Sequence, residues 1–455
     1  MSVQGNERGP VEKRALVISY NYPPVGMVGS IRTTKLVKFL GLYGWSATVL
    51  TVLRDSTAVA GWDPGEGVFP GVNVIRARFC DLITGFNRLL MALGILGPPE
   101  RMEEPGAAGS LEVGGWYGGA LRAAFAWLKR WVAFPDRYLL WFPSAFMAGL
   151  LELRRSHYNL IYSTSPPVTC HLVAAALNRL TGVPWVADLR DPWVLDQVGA
   201  TPCWRFLQRK LEKAVLRKAC AVVTVSEPLA CDLREFHGEK PWGYACITNG
   251  FDPDDFASSA QPGSDRFTIV HTGVLADLHR DATEVISVLE ELVREGKVPG
   301  GGIRLELYGP PDRRLTEIKE RLAFPELLEI KGVVPRRQAL SKQQGATALL
   351  VVLADHPYWA TVYGAKVLEY LGAERPILAW SPRGGVIAEL LERTRAGVAV
   401  GDRDSLRRVL EEWIEEFRSS GGLPFKGEER EISRYRWDLL AGRFAGLFDT
   451  VTGSG

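Results

Sequence analysis

The sequence predicts an α/β protein made of two doubly wound domains, each with a parallel sheet covered on both faces. Three observations predict it. Short apolar runs recur with helix-length segments between them. A polar stretch at residues 253–264 (PDDFASSAQPGS), with two prolines and several small residues, divides those runs into two series and reads as an interdomain linker. The length, 455 residues, gives two or three domains at roughly 100–200 residues each, every one large enough for its own core.

The first series of strands is predicted at residues 15–18, 47–52, 72–75, 160–162, 185–187 and 221–225. The second is predicted at 267–270, 303–307, 348–353 and 376–379. It opens with a strand, a glycine-containing turn (HTGVL) and a helical segment at 283–295, the way a nucleotide-binding domain begins. Residues 81–150 break the rhythm. They hold a Gly/Pro/Glu-rich piece at 97–119 and then FAWLKRWVAF, where Trp127 and Trp131 share a helical face beside Arg122, Lys129 and Arg130. Two readings stay open there: an amphipathic helix packed on the first domain, or a contact with a membrane surface or lipid acceptor, since Trp and basic side chains together suit the headgroup layer.

Composition narrows the function. Hydrophobic residues make up 46% and charged residues 23%, the balance of a soluble globular enzyme, which excludes long disorder, collagen and coiled coil. Lys and Arg number 54 against 52 Asp and Glu, a net +2, where a dedicated nucleic-acid binder would show a strongly basic domain. Cys80, Cys170, Cys203, Cys220, Cys231 and Cys246 form no CxxC pair and no metal-ligand spacing. Neither a zinc site nor a disulfide framework is expected, and a reducing compartment is the simpler reading. Residues 1–10 lack the apolar core of a secretory signal. The longest uncharged, mainly apolar stretch lies between Arg137 and Glu152 and contains Pro143, short of the about 20 residues a spanning helix needs. The expectation is a cytoplasmic protein with no transmembrane segment.

Ligand-binding signals sit where strands end. After the first strand, YNYPPVGMVGS sets Gly26 and Gly29 before a helix that opens near Ser30; the glycines allow a close backbone approach. The loop does not match GxGxxG, so a standard dinucleotide fingerprint is absent. SPPVTCHL puts His171 just after a strand and turn, and DLRDPW puts Asp188, Arg190 and Asp191 at the end of another. Charged residues at the carboxyl end of a parallel strand suit a site better than a core, although a salt bridge bracing the loop remains the rival reading, and a lone histidine is often structural.

The order of these segments is itself informative. YNYPPVGMVGSIRTTKLVKFLGLYGWSATVLT, Pro135–Asp136, YSTSPPVTCHL, VADLRDPW, VTVSEPLA, ITNGFDPDDF and GAKVLEYLGAERPILA follow one another from about residue 15 to residue 400. Together they resemble the family-four glycosyltransferases, most of all the branch found in bacterial exopolysaccharide, O-antigen and capsule assembly. The resemblance implies the GT-B fold, two Rossmann-like domains facing across a cleft. Residues 1–258 would form the acceptor domain, with 81–150 as its irregular segment, and 265–428 the nucleotide-sugar domain. Residues 429–455 would return to the first domain, with a helix at 431–448.

What such a transfer needs can be argued residue by residue. A leaving diphosphate must be stabilised as its charge grows, and a helix N-terminus with free N–H groups plus a cation does this without a metal. TVYGAKVLEYL offers both: Gly364 permits close approach, and Lys366 lies in the first turn, where the helix dipole disfavours a cation. That misfit favours a phosphate role over a merely solvent-exposed lysine. By the resemblance, Glu369 matches the second of two glutamates seven residues apart and would hold the ribose hydroxyls. The first is Thr361 here, a departure that puts the donor-sugar contact in question and leaves the backbone N–H groups of Val362, Tyr363 and Gly364 to carry much of the binding. The family's second cation maps to Arg280, while its lysine falls on Val285. Gly273 opens the same loop. Tyr308 in ELYGPP and Val334 in KGVVPRRQAL are candidates for the nucleobase contact, or ordinary loops between strand and helix.

The expected activity is retaining, metal-independent transfer of a sugar from a nucleotide diphosphate to a glycan or polyprenyl-linked acceptor in cell-surface polysaccharide synthesis. Lys366, Arg280 and His171 are the catalytic candidates. No metal ligand, cofactor or nucleic-acid partner is expected, and peripheral contact with the inner face of the plasma membrane is one of the two readings left open for the segment with Trp127 and Trp131. The rival readings are a nucleotide-sugar 2-epimerase of the same architecture and a non-catalytic nucleotide-sugar or glycan-binding homologue.

Overall fold

The computed structural model describes residues 13–24, 28–53, 69, 71–79, 134–194, 202–257, 266–275, 281–298, 301–310, 312–353, 356–381 and 384–453. The first part contains β1 (Lys13–Ile18), α1 (Val28–Leu40), β2 (Trp45–Leu53), β3 (Asn73–Arg78), α2 (Phe142–Arg155), β4 (Leu160–Ser165), α3 (Thr169–Thr181), β5 (Trp185–Leu189), α4 (Pro202–Leu216), β6 (Ala221–Thr224), α5 (Glu227–His237) and β7 (Tyr244–Cys246). The second contains β8 (Phe267–Thr272), α6 (Thr283–Arg294), β9 (Ile303–Tyr308), α7 (Arg313–Arg321), β10 (Leu328–Ile330), α8 (Arg336–Gln344), β11 (Ala348–Val352), α9 (Pro357–Thr361), α10 (Ala365–Ala373), β12 (Ile377–Trp380), α11 (Val386–Thr394), β13 (Gly397–Val400) and α12 (Arg403–Ser420). Two helices close the chain, α13 (Glu429–Ser433) and α14 (Trp437–Thr452).

The strands form two parallel sheets, of seven strands in the order β3-β2-β1-β4-β5-β6-β7 and of six in the order β10-β9-β8-β11-β12-β13. In each the direction of winding reverses once, between β1 and β4 and between β8 and β11. Such a reversal opens a crevice at the strands' carboxyl ends. Helices cover both faces, so the central strands must be apolar on both. Along β1, Leu16 and Ile18 enter one core while Ala15 and Val17 enter the other, and along β11 Ala348, Leu350 and Val352 alternate in the same way with Leu349 and Val351. Ala15 stands opposite both Ala47 and Leu160.

The end of the chain is two helices with a break at residues 434–436, where the sequence predicts one helix at 431–448. The break lets the chain cross between domains. Ile432 and Tyr435 are buried in the second domain's core, whereas Trp437, Leu440, Ala441, Phe444, Ala445, Phe448 and Val451 are buried against β1, β2 and α1 of the first. Their i, i+3, i+4, i+7 spacing makes one apolar stripe along α14. Lys13 Nζ reaches Asp449 Oδ1 at 2.6 Å, and Trp45 Nε1 donates to the same oxygen at 3.0 Å.

The two crossings touch. Phe251 N donates to Tyr435 O at 3.0 Å and Trp437 N donates to Phe251 O at 2.9 Å, so the outward and returning segments are paired. Among the described residues no helix is long and apolar enough to cross a membrane. Trp127, Trp131 and their basic neighbours lie outside the described residues.

Candidate active site

A cavity of about 330 Å³ lies between the two sheets. Asn21 follows β1, Pro166 follows β4, and Arg190 and Asp191 follow β5, so the first domain lines it from the carboxyl ends of its central strands, with Gly29, Arg32 and Lys35 of α1 beside them. The second domain contributes Tyr358 and Trp359 of α9, then Val362, Tyr363, Gly364, Ala365, Lys366 and Glu369 around α10, and Arg336 of α8. Asn249, Gly250, Asp252 and Asp255 of the outward crossing, with Trp437, complete the wall.

The second-domain wall is organised around Glu369, which is 7% exposed. Its Oε1 accepts from Gln343 Nε2 at 2.9 Å and from Lys366 Nζ at 3.0 Å, and its Oε2 meets Arg336 at 3.2 Å. Burial alone would raise this carboxyl, but Lys366 and Arg336, with the Gln343 amide, outweigh it and hold it at about 2. Glu369 is therefore an anion at any physiological pH. Lys366 lies in the first turn of α10, which has no side-chain cap. Uncapped N–H groups beside a cation form a site for an anion. A Cβ built on Gly364 would meet nothing within 4 Å among the described residues. Gly273, at φ +138, brings the loop after β8 over Lys366: a Cβ there would lie 3.8 Å from Lys366 Cγ.

The first-domain wall rests on a buried ion pair. Arg32 grips Asp188 with two parallel bonds, Nε to Oδ2 at 2.7 Å and Nη2 to Oδ1 at 2.8 Å. Tyr162 and Thr164 also donate to Oδ2, at 2.5 and 2.9 Å, while Arg32 reaches the carbonyls of Ile247 and Thr248 at the start of the crossing. Burial would raise the Asp188 carboxyl, yet Arg32 beside it holds it below the ordinary carboxylate range. Arg190 spends its nitrogens on carbonyls, those of Ser165 at 2.8 Å, Gly29 at 2.6 Å and Pro166 at 2.8 Å. Gly29 leaves room for this side chain, since a Cβ there would lie 2.8 Å from Arg190 Nη1 and the guanidinium would have to shift. Asp191 reaches across to the other domain and accepts from Tyr358 Oη at 2.8 Å. Among the described residues no group of three or more His, Cys, Asp or Glu side chains is placed to hold a metal ion.

Of the residues singled out from the sequence, the cavity brings together Gly29, Arg190, Asp191, Val362, Tyr363, Gly364, Lys366 and Glu369. Gly26 and Arg280 lie outside the described residues. Asp188 is fully buried, and its partner is Arg32 rather than Arg190; it braces the floor instead of facing a ligand. His171 is also fully buried, with Nδ1 2.8 Å from Ser163 Oγ and its ring 6.0 Å from that of Trp193. Burial pulls its imidazole down to about 3. A neutral ring sealed in the core does not accept a proton from a hydroxyl in the cavity, which takes His171 out of the catalytic set. Tyr308 is buried with Oη donating to Glu306 at 2.7 Å, and Val334 packs on the second core, so neither lines the cavity.

The sequence reading missed Arg336, Gln343, Tyr358 and Lys35. For Arg336 a signal was present: like Lys366, it is a cation in the first turn of a helix, where the dipole disfavours it.

Residues 30–250 match the family model described as Glycosyl transferase 4-like domain. No curated protein sequence matches the chain. Among solved structures, a sucrose-phosphate synthase from Thermosynechococcus elongatus is similar over 97% of this chain and 100% of its own, at 16% identity and a TM-score of 0.65. S. aureus TarM in complex with Fondaparinux, alpha-GlcNAc-glycerol and UDP is similar over 96% and 100%, at 10% identity and 0.58. The lipopolysaccharide outer core galactosyltransferase WaaB is similar over 96% and 99%, at 10% identity and 0.56. At such identities these likenesses speak to the fold, and they agree with the two facing parallel sheets. The chain is a glycosyltransferase of the GT-B fold, and its residues 30–250 match the glycosyl transferase 4-like domain.

Proposed function

We propose that the chain transfers a sugar, with retention and without a metal ion, from a nucleoside diphosphate to a glycan or lipid-linked glycan in cell-surface polysaccharide synthesis. The observation that carries the donor half is the pairing of Lys366 and Glu369 beside the uncapped start of α10 in the interdomain cavity. Glu369, ionised and anchored by Gln343 and Arg336, is an acceptor for ribose hydroxyls. Lys366 and the N–H groups after Gly364 stabilise the diphosphate as it leaves. In the retaining reaction the acceptor hydroxyl attacks the anomeric carbon on the face the diphosphate departs from. The bond from that carbon to the phosphate oxygen breaks, the bond to the acceptor oxygen forms, and the departing phosphate oxygen takes the hydroxyl proton. This route asks for no side-chain base, in keeping with the burial of His171. The UDP held by TarM supports a nucleoside diphosphate donor, and the activity named for WaaB supports a cell-surface glycan.

Thermal unfolding with UDP, GDP, TDP and ADP tests the donor site. A ligand at about a hundred times its dissociation constant adds about 2.7 kcal/mol to the folded state. One of the four should raise the melting temperature of the unaltered chain and leave Glu369→Ala unmoved. Lys366→Ala should lower turnover by roughly 100-fold or more, the effect of losing about 2.7–4 kcal/mol of transition-state stabilisation. Wild-type turnover in that variant would remove Lys366 from the mechanism.

A further inference from the structure

Among the described residues four carboxylates line the cavity, and three of them are neutralised. Asp252 is held by Lys35 and Lys38, Asp255 by Lys35 and Arg336, and Glu369 by Lys366 and Arg336. The fourth, Asp191, has no cation within ion-pair distance among the described residues, and its neighbour Arg190 is committed to three carbonyls. One of its oxygens accepts from Tyr358 Oη at 2.8 Å, which fixes the carboxylate and leaves the second oxygen as an unused acceptor on the cavity wall. Tyr358 lies on α9, which is followed by the short loop with Gly364 and then by Lys366 in the first turn of α10. The α9 side chain nearest in role, Thr361, has spent its hydroxyl proton on Tyr358 O at 2.8 Å and brings no charge.

We propose that Asp191, positioned by Tyr358, receives hydroxyl groups of the sugar being transferred, so that the first domain contributes to donor recognition. The inference rests on the reading that a nucleoside diphosphate sugar fills this cavity. With Glu369 on the ribose and Lys366 on the diphosphate, the sugar projects beyond the phosphates towards the wall formed by α9 and the end of β5. A sugar ring presents O–H donors. A carboxylate acceptor without a direct ion pair, near Arg190 but not bridged to it, is a strong match, because charge-assisted bonds are about twice as strong as neutral ones. The contact bridges both domains, so the sugar is read only when they face each other as they do here.

Calorimetric titration with UDP-glucose, UDP-galactose, UDP-N-acetylglucosamine and GDP-mannose, each beside its free diphosphate, separates this contact from the rest of the site. Asp191→Ala should weaken the sugar nucleotide that the unaltered protein prefers by roughly tenfold or more, the value of a bond to a charged group, and change the affinity for its free diphosphate by less than about twofold. Asp191→Asn, which keeps the shape, should fall between. Tyr358→Phe should weaken the sugar nucleotide less than Asp191→Ala does and likewise spare the diphosphate. Unchanged affinity for both ligands in Asp191→Ala overturns the inference, and so does an equal loss of both, since a contact that merely ties the domains together does not distinguish them. If the unaltered protein binds the diphosphates but gains nothing from any attached sugar, the inference falls and the donor site stands. Binding of none of the six ligands, with no stabilisation by TDP or ADP either, removes both.

Discussion

Two buried titratable residues, close in space and alike in burial, behave in opposite ways. Asp188 is charged inside the protein because its two oxygens accept four hydrogen bonds: two from Arg32 in a fork, one each from Tyr162 and Thr164. Removing one member of such a pair leaves the other charged and unmatched, a loss of about 3–5 kcal/mol. Asp188→Ala should therefore destabilise the protein by that amount, and adding Arg32→Met should recover part of it, so that chemical denaturation shows strong coupling. Costs that simply add would contradict the pairing. His171 has no such partner on Nε2 and stays neutral, held by burial at about 3 against an ordinary 6.5. The unfolded chain takes up a proton below about 6.5 that the native ring refuses, so stability is full above that pH and declines as the pH falls towards 3. His171→Phe should lose less stability than the unaltered chain between about pH 7.5 and about pH 5; identical slopes would show that the ring titrates freely.

Elements were legible in the sequence to the degree that they are buried. Each apolar run predicted from the sequence falls in or overlaps a strand, because the central strands have both faces covered and cannot tolerate polar alternation. The three strands without such a run, β7, β10 and β13, are all sheet edges. They are three, three and four residues long and mostly half-buried. A short edge strand with one open side needs no continuous apolar run, so it leaves no signal to read. The site divides along a similar line. Lys366 was legible because a cation in a first turn contradicts the helix dipole, and Glu369 followed from the resemblance, which matches it to the second of the family's two glutamates. Asp188 and His171 were placed in the cleft by their position after strands, but whether a side chain at a strand end points into the cleft or the core depends on partners far away in the chain, such as Arg32, 156 residues earlier. The closing helix was placed by the resemblance and illegible at its break, since Tyr435 and Trp437 serve two different cores.

At the scale of the whole molecule, both passages of the chain between the domains meet at one place. Phe251 and Arg436 form a parallel bridge there, and Lys35 of α1 holds Asp252 and Asp255 at 2.6 and 2.7 Å while Arg336 reaches Asp255 at 2.9 Å. Arg336 also contacts Glu369, so a thread of ion pairs joins the first domain's helix to the donor wall. Any change in the angle between the sheets turns on this junction. Gly250 permits it: a Cβ there would lie 2.1 Å from Tyr435 O and 2.6 Å from Leu440 Cδ1. Gly250→Ala should force the crossings apart at a cost of about 1–3 kcal/mol, visible as a lower melting temperature; an unaltered transition would mean that the junction yields freely. The returning helix has a consequence for how the protein is made. Phe444 and Phe448, which seal the core around Tyr162 and Trp45, are translated after the whole second domain, whereas the strands they cover are translated before it. Domains generally fold as units while synthesis proceeds from the N-terminus. Here the half made first waits on the ribosome with an open apolar face, and it closes only after the half made second has emerged.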